Sequence, residues 1–430
     1  MQLPNASVEF TTTGDVAKPG QLDAAVALGQ GQGQSAPPTH VLCLCHGWNN
    51  TTQEAEAFYT RLTDKIAQQQ AQQNDPNVRL AVIGLLWPSV RWADEGGTIA
   101  GGGLAEADPA SELMDRIDSV VPDAQAAAEL KAQVPGLNSS HDARVAFVET
   151  LRQKVVPPPD AVADDDPMPS TFLEGDVEGL FDDTEQGFLG VLAGSPLLVT
   201  DAGPAGESTG AATGLFGDGI SPVVLARFLL NMGTYYTMKS RAGTVGSKGV
   251  AQLLQRLRAD AAGASVSLVG HSFGARVVSS AAGAGAPTHA VCLLQGAFSQ
   301  FGFDDEHGPL NKAGAFRRAV QGGAVDGPIV VTHSQKDLAV RLAYAIASRI
   351  AQQTASALGG KDDPYGGLGA NGAVGLPADE VDETQLGPVG TTYAFTPRHV
   401  HNLVGDTFIT GHSAVDGPEV ANAVRQAVLA

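Results

Sequence analysis

The sequence is poor in the residues that build disulfide frameworks and basic binding surfaces. It has 3 cysteines among 430 residues, and 26 basic side chains against 46 acidic ones give a formal net charge of −20. An odd and small number of cysteines excludes a complete disulfide framework, and their spacing does not match a zinc site. The negative charge argues against nucleic acid as a partner, because the phosphates would be repelled.

Long apolar runs and a leader pattern are also missing. No run approaches the length of about 18 apolar residues that a membrane-spanning helix needs, so we expect no transmembrane segment. The start of the chain, Met1–Asn5, predicts no signal peptide. A cytoplasmic location is therefore the default expectation, with export by a non-classical route left open. Acidic runs such as 164–166 lack calcium-loop spacing, so we predict neither a metal nor a cofactor.

Apolar strand patterns alternate with amphipathic helices along much of the chain. The predicted strands are 40–45, 78–86, 265–270, 291–294 and 329–332, with a last strand near 391–395. Strands that alternate with helices are typical of a mostly parallel central sheet with helices on both faces. The sequence therefore predicts an α/β fold.

One long segment interrupts this pattern. Between about residues 90 and 215 the chain is rich in Gly, Pro, Ala and Asp, and about 120 residues are too many for an ordinary connection in a compact domain. We therefore divide the chain into an N-terminal extension (1–37), a core (38–95 and 216–430) and an inserted, mostly helical or loop-rich and partly flexible cap (96–215).

The pentapeptide Gly270–Gly274 is the strongest chemical motif. It has the pattern G-x-S-x-G and lies between a predicted buried strand and a helix from Ala275 to Ala282. A serine at such a sharp turn projects its hydroxyl beyond the sheet edge, and the flanking glycines allow close backbone approach. Ser272 is therefore the predicted nucleophile.

A serine hydroxyl needs a base, and the base needs a carboxylate that orients it. Where a strand–turn–helix presents the serine, the acid follows it in the chain and the histidine comes last. Asp337, just after the strand 329–332, is the predicted carboxylate, and it could also cap the helix that begins at Leu338. Asp304 and Asp305, after the strand 291–294, are the alternatives.

For the base we favour His412, which lies on a loop between small residues just before the terminal helix. His399 and His401, nearer the last strand, remain rivals. We expect His271 to be a packing residue that points away from the serine. His46, at a strand end, is expected to orient its loop through hydrogen bonds.

Acyl transfer also needs backbone N–H groups that stabilise an oxyanion. One should be the N–H of Phe273, the residue after the nucleophile, and the other should lie in the loop after the strand 40–45. We favour Trp48 for the second donor, with Gly47 next.

These residues resemble the α/β-hydrolase superfamily through His46-Gly47-Trp48, the Gly270–Gly274 turn, Asp337 and His412 in that order. The resemblance covers most of 38–95 and 220–430, and the segment 236–246 looks like one in bacterial serine esterase and lipase-like proteins. It departs from that pattern in the long 90–215 segment and in Trp48, which replaces the glycines that follow His-Gly in some esterases.

The resemblance implies a serine hydrolase that cleaves carboxylic esters, of small molecules or lipids, through a Ser-His-Asp triad and an acyl-enzyme. A lipase or phospholipase is the nearest rival, favoured by the apolar segment 223–238 and the cap. A thioesterase or peptidase would use the same acyl chemistry. A binding protein of this fold with an unused triad is the rival from another class.

Overall fold

A single sheet of parallel strands organises the part of the chain that the structure, a computed structural model, describes. The structure describes residues 3–89, 109–155, 221–305, 311–341, 361 and 365–430. Within these ranges it leaves out residues 49, 122, 262 and 338. The strands are β1 (Asn5–Glu9), β2 (His40–Cys45), β3 (Leu80–Leu86), β4 (Ser265–His271), β5 (Val291–Leu294), β6 (Ile329–His333), β7 (Val381–Gln385) and β8 (Val400–Val404).

All eight strands run in the same direction, in the order β1-β3-β2-β4-β5-β6-β8-β7. Parallel sheets need cover on both faces, and their inner strands therefore read as continuous apolar runs such as the fully buried β3. The predicted α/β class and the mostly parallel sheet are confirmed.

The helices that the structure describes connect and cover these strands. They are α1 (Gln21–Gly29), α2 (Thr52–Gln73), α3 (Pro109–Val120), α4 (Ala124–Gln133), α5 (His141–Lys154), α6 (Pro222–Thr244), α7 (Ala251–Asp260), α8 (Phe273–Gly283), α9 (Arg317–Gln321), α10 (Leu368–Asn371) and α11 (Pro418–Leu429). A π-helical stretch, Val245–Val250, joins α6 to α7.

Side chains of one strand enter two different cores because successive residues face opposite sides of the sheet. In β2, Val41 and Cys43 join the core beneath α1, α7 and α8, whereas Leu42 and Leu44 join the core beneath α2 and α11. The carboxyl ends of the inner strands are thereby held at one edge between two helical layers.

The two outer strands differ from the prediction. The segment assigned to an N-terminal extension contributes β1, which pairs with β3. The strand predicted near 391–395 is wrong: this stretch is not a strand, although Tyr393 and Phe395 stack with their ring centroids 5.2 Å apart. The sheet ends instead in β8 and the edge strand β7, whose sequence Val-Asp-Glu-Thr-Gln is mostly exposed and carries no apolar pattern.

Part of the predicted insertion is helical. Helices α3, α4 and α5 follow one another, and α3 and α5 pack on α6. The rest of the predicted cap, 96–108 and 156–215, lies outside the described residues, as does most of the helix predicted from 338 to 355. No helix in the described ranges has the length and apolarity to cross a membrane.

Candidate active site

Ser272 occupies a strained turn between β4 and α8. Its φ of 57° and ψ of −122° lie in a region that side-chain-bearing residues rarely adopt. The turn is tight enough that a Cβ at Gly270 would collide with the Gly274 carbonyl, and one at Gly274 would collide with the Cys45 carbonyl. The predicted glycine requirement therefore has a direct steric cause.

The hydroxyl of Ser272 points at the ring of His412. Ser272 Oγ lies 2.8 Å from His412 Nε2, and His412 Nδ1 lies 2.8 Å from Asp337 Oδ2. With the ring proton on Nδ1, the imidazole donates to the carboxylate and accepts from the serine. Ser272, predicted from its motif, and Asp337 and His412, predicted from chain order, thus form one hydrogen-bonded chain, although they are 65 residues or more apart in sequence.

Asp337 is fully buried and is held by more than the histidine. Its Oδ1 accepts a hydrogen bond of 3.0 Å from the Val340 amide, and its carbonyl accepts one from the Arg341 amide at 3.1 Å. Asp337 therefore caps the helical turn at 339–341, as the sequence predicted.

The charges of His412 and Asp337 stabilise each other. Burial raises the pKa of Asp337, but the facing His412 and the hydrogen bonds outweigh it, so the net pKa lies below the ordinary value. Burial lowers the pKa of His412, yet the charge of Asp337 and its hydrogen bond raise the net pKa above the ordinary value. The imidazolium that would form at His412 on accepting a proton is therefore more stable here than in a free histidine.

Gln295 supports the carboxylate and was missed by the sequence analysis. This fully buried residue follows β5 with a φ of 48°, a strained value for a residue other than glycine. Its Nε2 donates to Asp337 Oδ2 at 3.1 Å and to the Gly369 carbonyl at 2.7 Å, while its Oε1 accepts from the Thr332 hydroxyl at 3.1 Å. The only signal in the sequence is a polar residue directly after an apolar strand.

His271 does more than the packing expected of it. Its ring packs 5.6 Å from that of Phe58, and its Nε2 donates to the His412 carbonyl at 2.9 Å. Burial, and to a lesser degree the neighbouring His412, lower the pKa of His271 to about 3. A neutral His271 therefore anchors the backbone of the loop that carries His412.

The loop after β2 lies against the serine. A Cβ at Gly47 would lie 2.9 Å from Ser272 Cβ and 3.4 Å from Ser272 Oγ. The Trp48 ring meets the Phe273 ring edge to face at 5.8 Å. The two segments predicted to donate to an oxyanion are thus neighbours beside the same hydroxyl.

His46 holds that loop in place, as expected. Its Nδ1 donates to the Gly47 carbonyl at 2.9 Å, and its Nε2 accepts from the Trp87 amide at 3.3 Å. Burial lowers the pKa of His46 to about 4, which keeps the ring neutral and both bonds intact at neutral pH.

The rival residues lie elsewhere. His399 and His401 sit where β8 begins and contact Asp382, whereas His412 follows the carboxyl end of β8. Asp304 and Asp305 follow β5, but the Nδ1 of His412 bonds to Asp337. Only Asp337 and His412 are therefore hydrogen-bonded in line with the serine.

No protein-family model, curated protein or solved structure matches the chain. The function must therefore be inferred from the geometry of the site itself.

Proposed function

We propose that this chain is a serine hydrolase of the α/β-hydrolase fold that cleaves carboxylic esters through an acyl-enzyme. The observation that carries the proposal is the unbroken hydrogen-bonded chain from Ser272 Oγ through His412 to the buried carboxylate of Asp337. A parallel sheet with its polar side chains at the carboxyl ends of the strands supports the same conclusion.

In the proposed reaction Ser272 Oγ attacks the ester carbonyl while its proton moves to His412 Nε2. Asp337 keeps the ring oriented and stabilises the positive charge that forms on it. Collapse of the tetrahedral intermediate breaks the ester C–O bond, and the Nε2 proton leaves with the alcohol. Water then attacks the acyl-enzyme by the same proton transfers and releases the acid.

The negative oxygen of the intermediate needs donors fixed in advance. We assign these to the backbone N–H groups of Phe273 and Trp48. Phe273 opens α8, where the positive end of the helix dipole favours negative charge, and the segment with Trp48 passes against Ser272.

We further propose that residues 96–215 act as a cap that selects the ester. Within it, α3 and α5 pack against α6, which itself contacts α8, the helix that begins at the nucleophile turn. Movement of such a cap would control the access of the ester to Ser272.

The test is Ser272→Ala, assayed on acyl esters of graded chain length. We expect ester turnover to fall by roughly 10⁴- to 10⁶-fold, since the nucleophile is lost while the fold remains. Ser279→Ala is the matched control, because Ser279 is a buried serine on α8 whose hydroxyl has no hydrogen-bond partner. It should leave turnover unchanged.

A fluorophosphonate probe gives an independent readout, because it forms a covalent bond to an activated serine. Wild type and Ser279→Ala should label, and Ser272→Ala should not. Ester turnover in Ser272→Ala near the wild-type rate would contradict the proposal. Folded wild-type protein that neither labels nor turns over any ester would favour a binding protein of this fold.

A further inference from the structure

A second cluster of chemically active side chains lies at the amino end of the sheet edge. Asp382 is on β7, His401 is on β8, and His399 immediately precedes β8. Asp382 Oδ2 lies 3.1 Å from His399 Nδ1 and 3.6 Å from His401 Nδ1. One possible ligand atom from each of the three residues lies within 4.8 Å of the other two. Two imidazole nitrogens and one carboxylate oxygen thus converge on one point.

The backbone fixes this convergence. In the parallel pairing of β7 with β8, Asp382 is directly opposite His401. His399 is two residues earlier, on the same side of the chain, and its carbonyl accepts a hydrogen bond of 2.9 Å from the Ile329 amide. The ligand atoms are therefore held by the sheet, and only the side chain of Asp382, 56% exposed, has much freedom.

Backbone groups of Thr396 contact the second ring nitrogen of His401. Its Nε2 lies 3.2 Å from the Thr396 carbonyl and 2.9 Å from the Thr396 amide. Without a metal the Thr396 amide donates to Nε2, so Nδ1 carries the ring proton and points it toward Asp382. Metal binding at Nδ1 would move that proton to Nε2, where the Thr396 carbonyl can accept it. A backbone carbonyl is a usual outer partner of a metal-bound histidine, because it fixes the tautomer. The Phe395 ring packs against the imidazole with its centroid 5.1 Å away and an angle of 67° between the ring planes.

The two separations from the carboxylate oxygen fit a small tetrahedral ion. Bonds of 2.0–2.2 Å in tetrahedral geometry place neighbouring ligand atoms about 3.3 Å apart. The observed distances of 3.1 Å and 3.6 Å from the carboxylate oxygen lie on either side of that value. Two imidazoles with one carboxylate favour Zn²⁺ and related transition metals, whereas Ca²⁺ and Mg²⁺ prefer sites built from oxygen alone.

We propose that Asp382, His399 and His401 bind a divalent transition-metal ion of the Zn²⁺ class, with water completing its coordination. The ion would tie the exposed edge strand β7 to β8. It lies at the amino end of these strands, whereas Ser272 and His412 follow the carboxyl ends of β4 and β8. Its binding should therefore stabilise the edge of the sheet without changing ester turnover.

A matched control is present at the same end of the sheet. His289 Nδ1 lies 2.9 Å from Asp326 Oδ1, a contact as short as the one between His399 and Asp382. In the described part of the chain, only the Asp382 cluster brings together three such ligand atoms. A simple histidine–aspartate pair and a metal site can thus be compared in one molecule.

The experiment titrates the full chain, freed of metal by a chelator, with Co²⁺ alone and then with Zn²⁺. We expect one equivalent of Co²⁺ to give visible absorption of a low-coordinate site, Zn²⁺ to displace it, and Zn²⁺ to raise the Tm. Asp382→Asn and His399→Ala should weaken binding by more than the 10- to 100-fold typical of losing an outer hydrogen bond. His289→Ala should bind like wild type.

Asp382 and His399 are substituted rather than the buried His401, so that the fold is kept, and circular dichroism checks this. Three results would overturn the proposal: no stoichiometric Co²⁺ binding, equal binding by wild type and Asp382→Asn, or an equal loss in His289→Ala. Ester turnover is measured separately, so the result is independent of the proposed hydrolase activity.

Discussion

The two ends of the sheet pair the same residue types in different surroundings. At the carboxyl end His412 Nδ1 lies 2.8 Å from Asp337, and at the amino end His399 Nδ1 lies 3.1 Å from Asp382. The side chain of Asp337 is fully buried, whereas that of Asp382 is 56% exposed. A short contact between histidine and aspartate therefore does not by itself define a chemical role.

The partners of each pair make the difference. A buried carboxylate is costly unless it is hydrogen-bonded, and Asp337 has Gln295 and the Val340 amide besides its histidine. The second nitrogen of its histidine faces a serine hydroxyl, an arrangement suited to proton transfer. At the other end a second imidazole replaces the hydroxyl, and two nitrogens face one carboxylate oxygen, an arrangement suited to a cation.

We expect the largest difference in activity between the two ends of the sheet from matched Asp→Asn substitutions. Asp337→Asn should lower kcat for ester hydrolysis by about 10⁴-fold, because the amide favours the wrong tautomer of His412 while still capping the helical turn. Asp382→Asn should leave kcat unchanged. Steady-state kinetics on the best ester from the chain-length panel would measure both.

A kcat near the wild-type value in Asp337→Asn would contradict this contrast and remove Asp337 from the mechanism. A loss in Asp382→Asn as large as that in Asp337→Asn would instead link the two ends of the sheet.

The next largest effect is expected at Gln295. Gln295→Met keeps the side-chain volume but removes the donor to Asp337, and a hydrogen bond to a charged group is worth about 1.5–3 kcal/mol. We expect kcat to fall by about 10- to 100-fold with KM unchanged, because Gln295 positions the carboxylate and does not contact the serine.

Gln300→Met is the control for this substitution. Gln300 is equally buried and bonds to the Lys361 carbonyl and to Asn371, not to Asp337. Both variants should lose stability, and only Gln295→Met should lose kcat. Parallel losses of kcat in the two would show that Gln295 acts only through the fold.

The sequence predicted most of the candidate site residues at the carboxyl end of the sheet and did not predict the cluster at its amino end. Ser272, Asp337 and His412 follow from a motif and from chain order, and the structure brings all three together, although their catalytic role stays a prediction. Gln295 belongs to no motif, and only its hydrogen bond to Asp337 in the folded protein identifies it. Asp382 and His399 are 17 residues apart and meet only because β7 pairs with β8, an edge strand without an apolar pattern.

The smallest predicted effect concerns the pH dependence of the reaction, which should depend on the carboxyl end of the sheet and not on the amino end. Only neutral His412 can accept the serine proton. Burial lowers the pKa of His412, but the charge of Asp337 and its hydrogen bond together raise the net pKa above the ordinary value. The acid limb of kcat/KM should therefore have its midpoint above the ordinary histidine value of about 6.5, with about a 10-fold loss one pH unit below the midpoint. Asp382→Asn, at the far end of the sheet, should give the same midpoint as wild type. A midpoint below the ordinary value, or one that shifts in Asp382→Asn, would show that a group other than the His412–Asp337 pair controls the reaction.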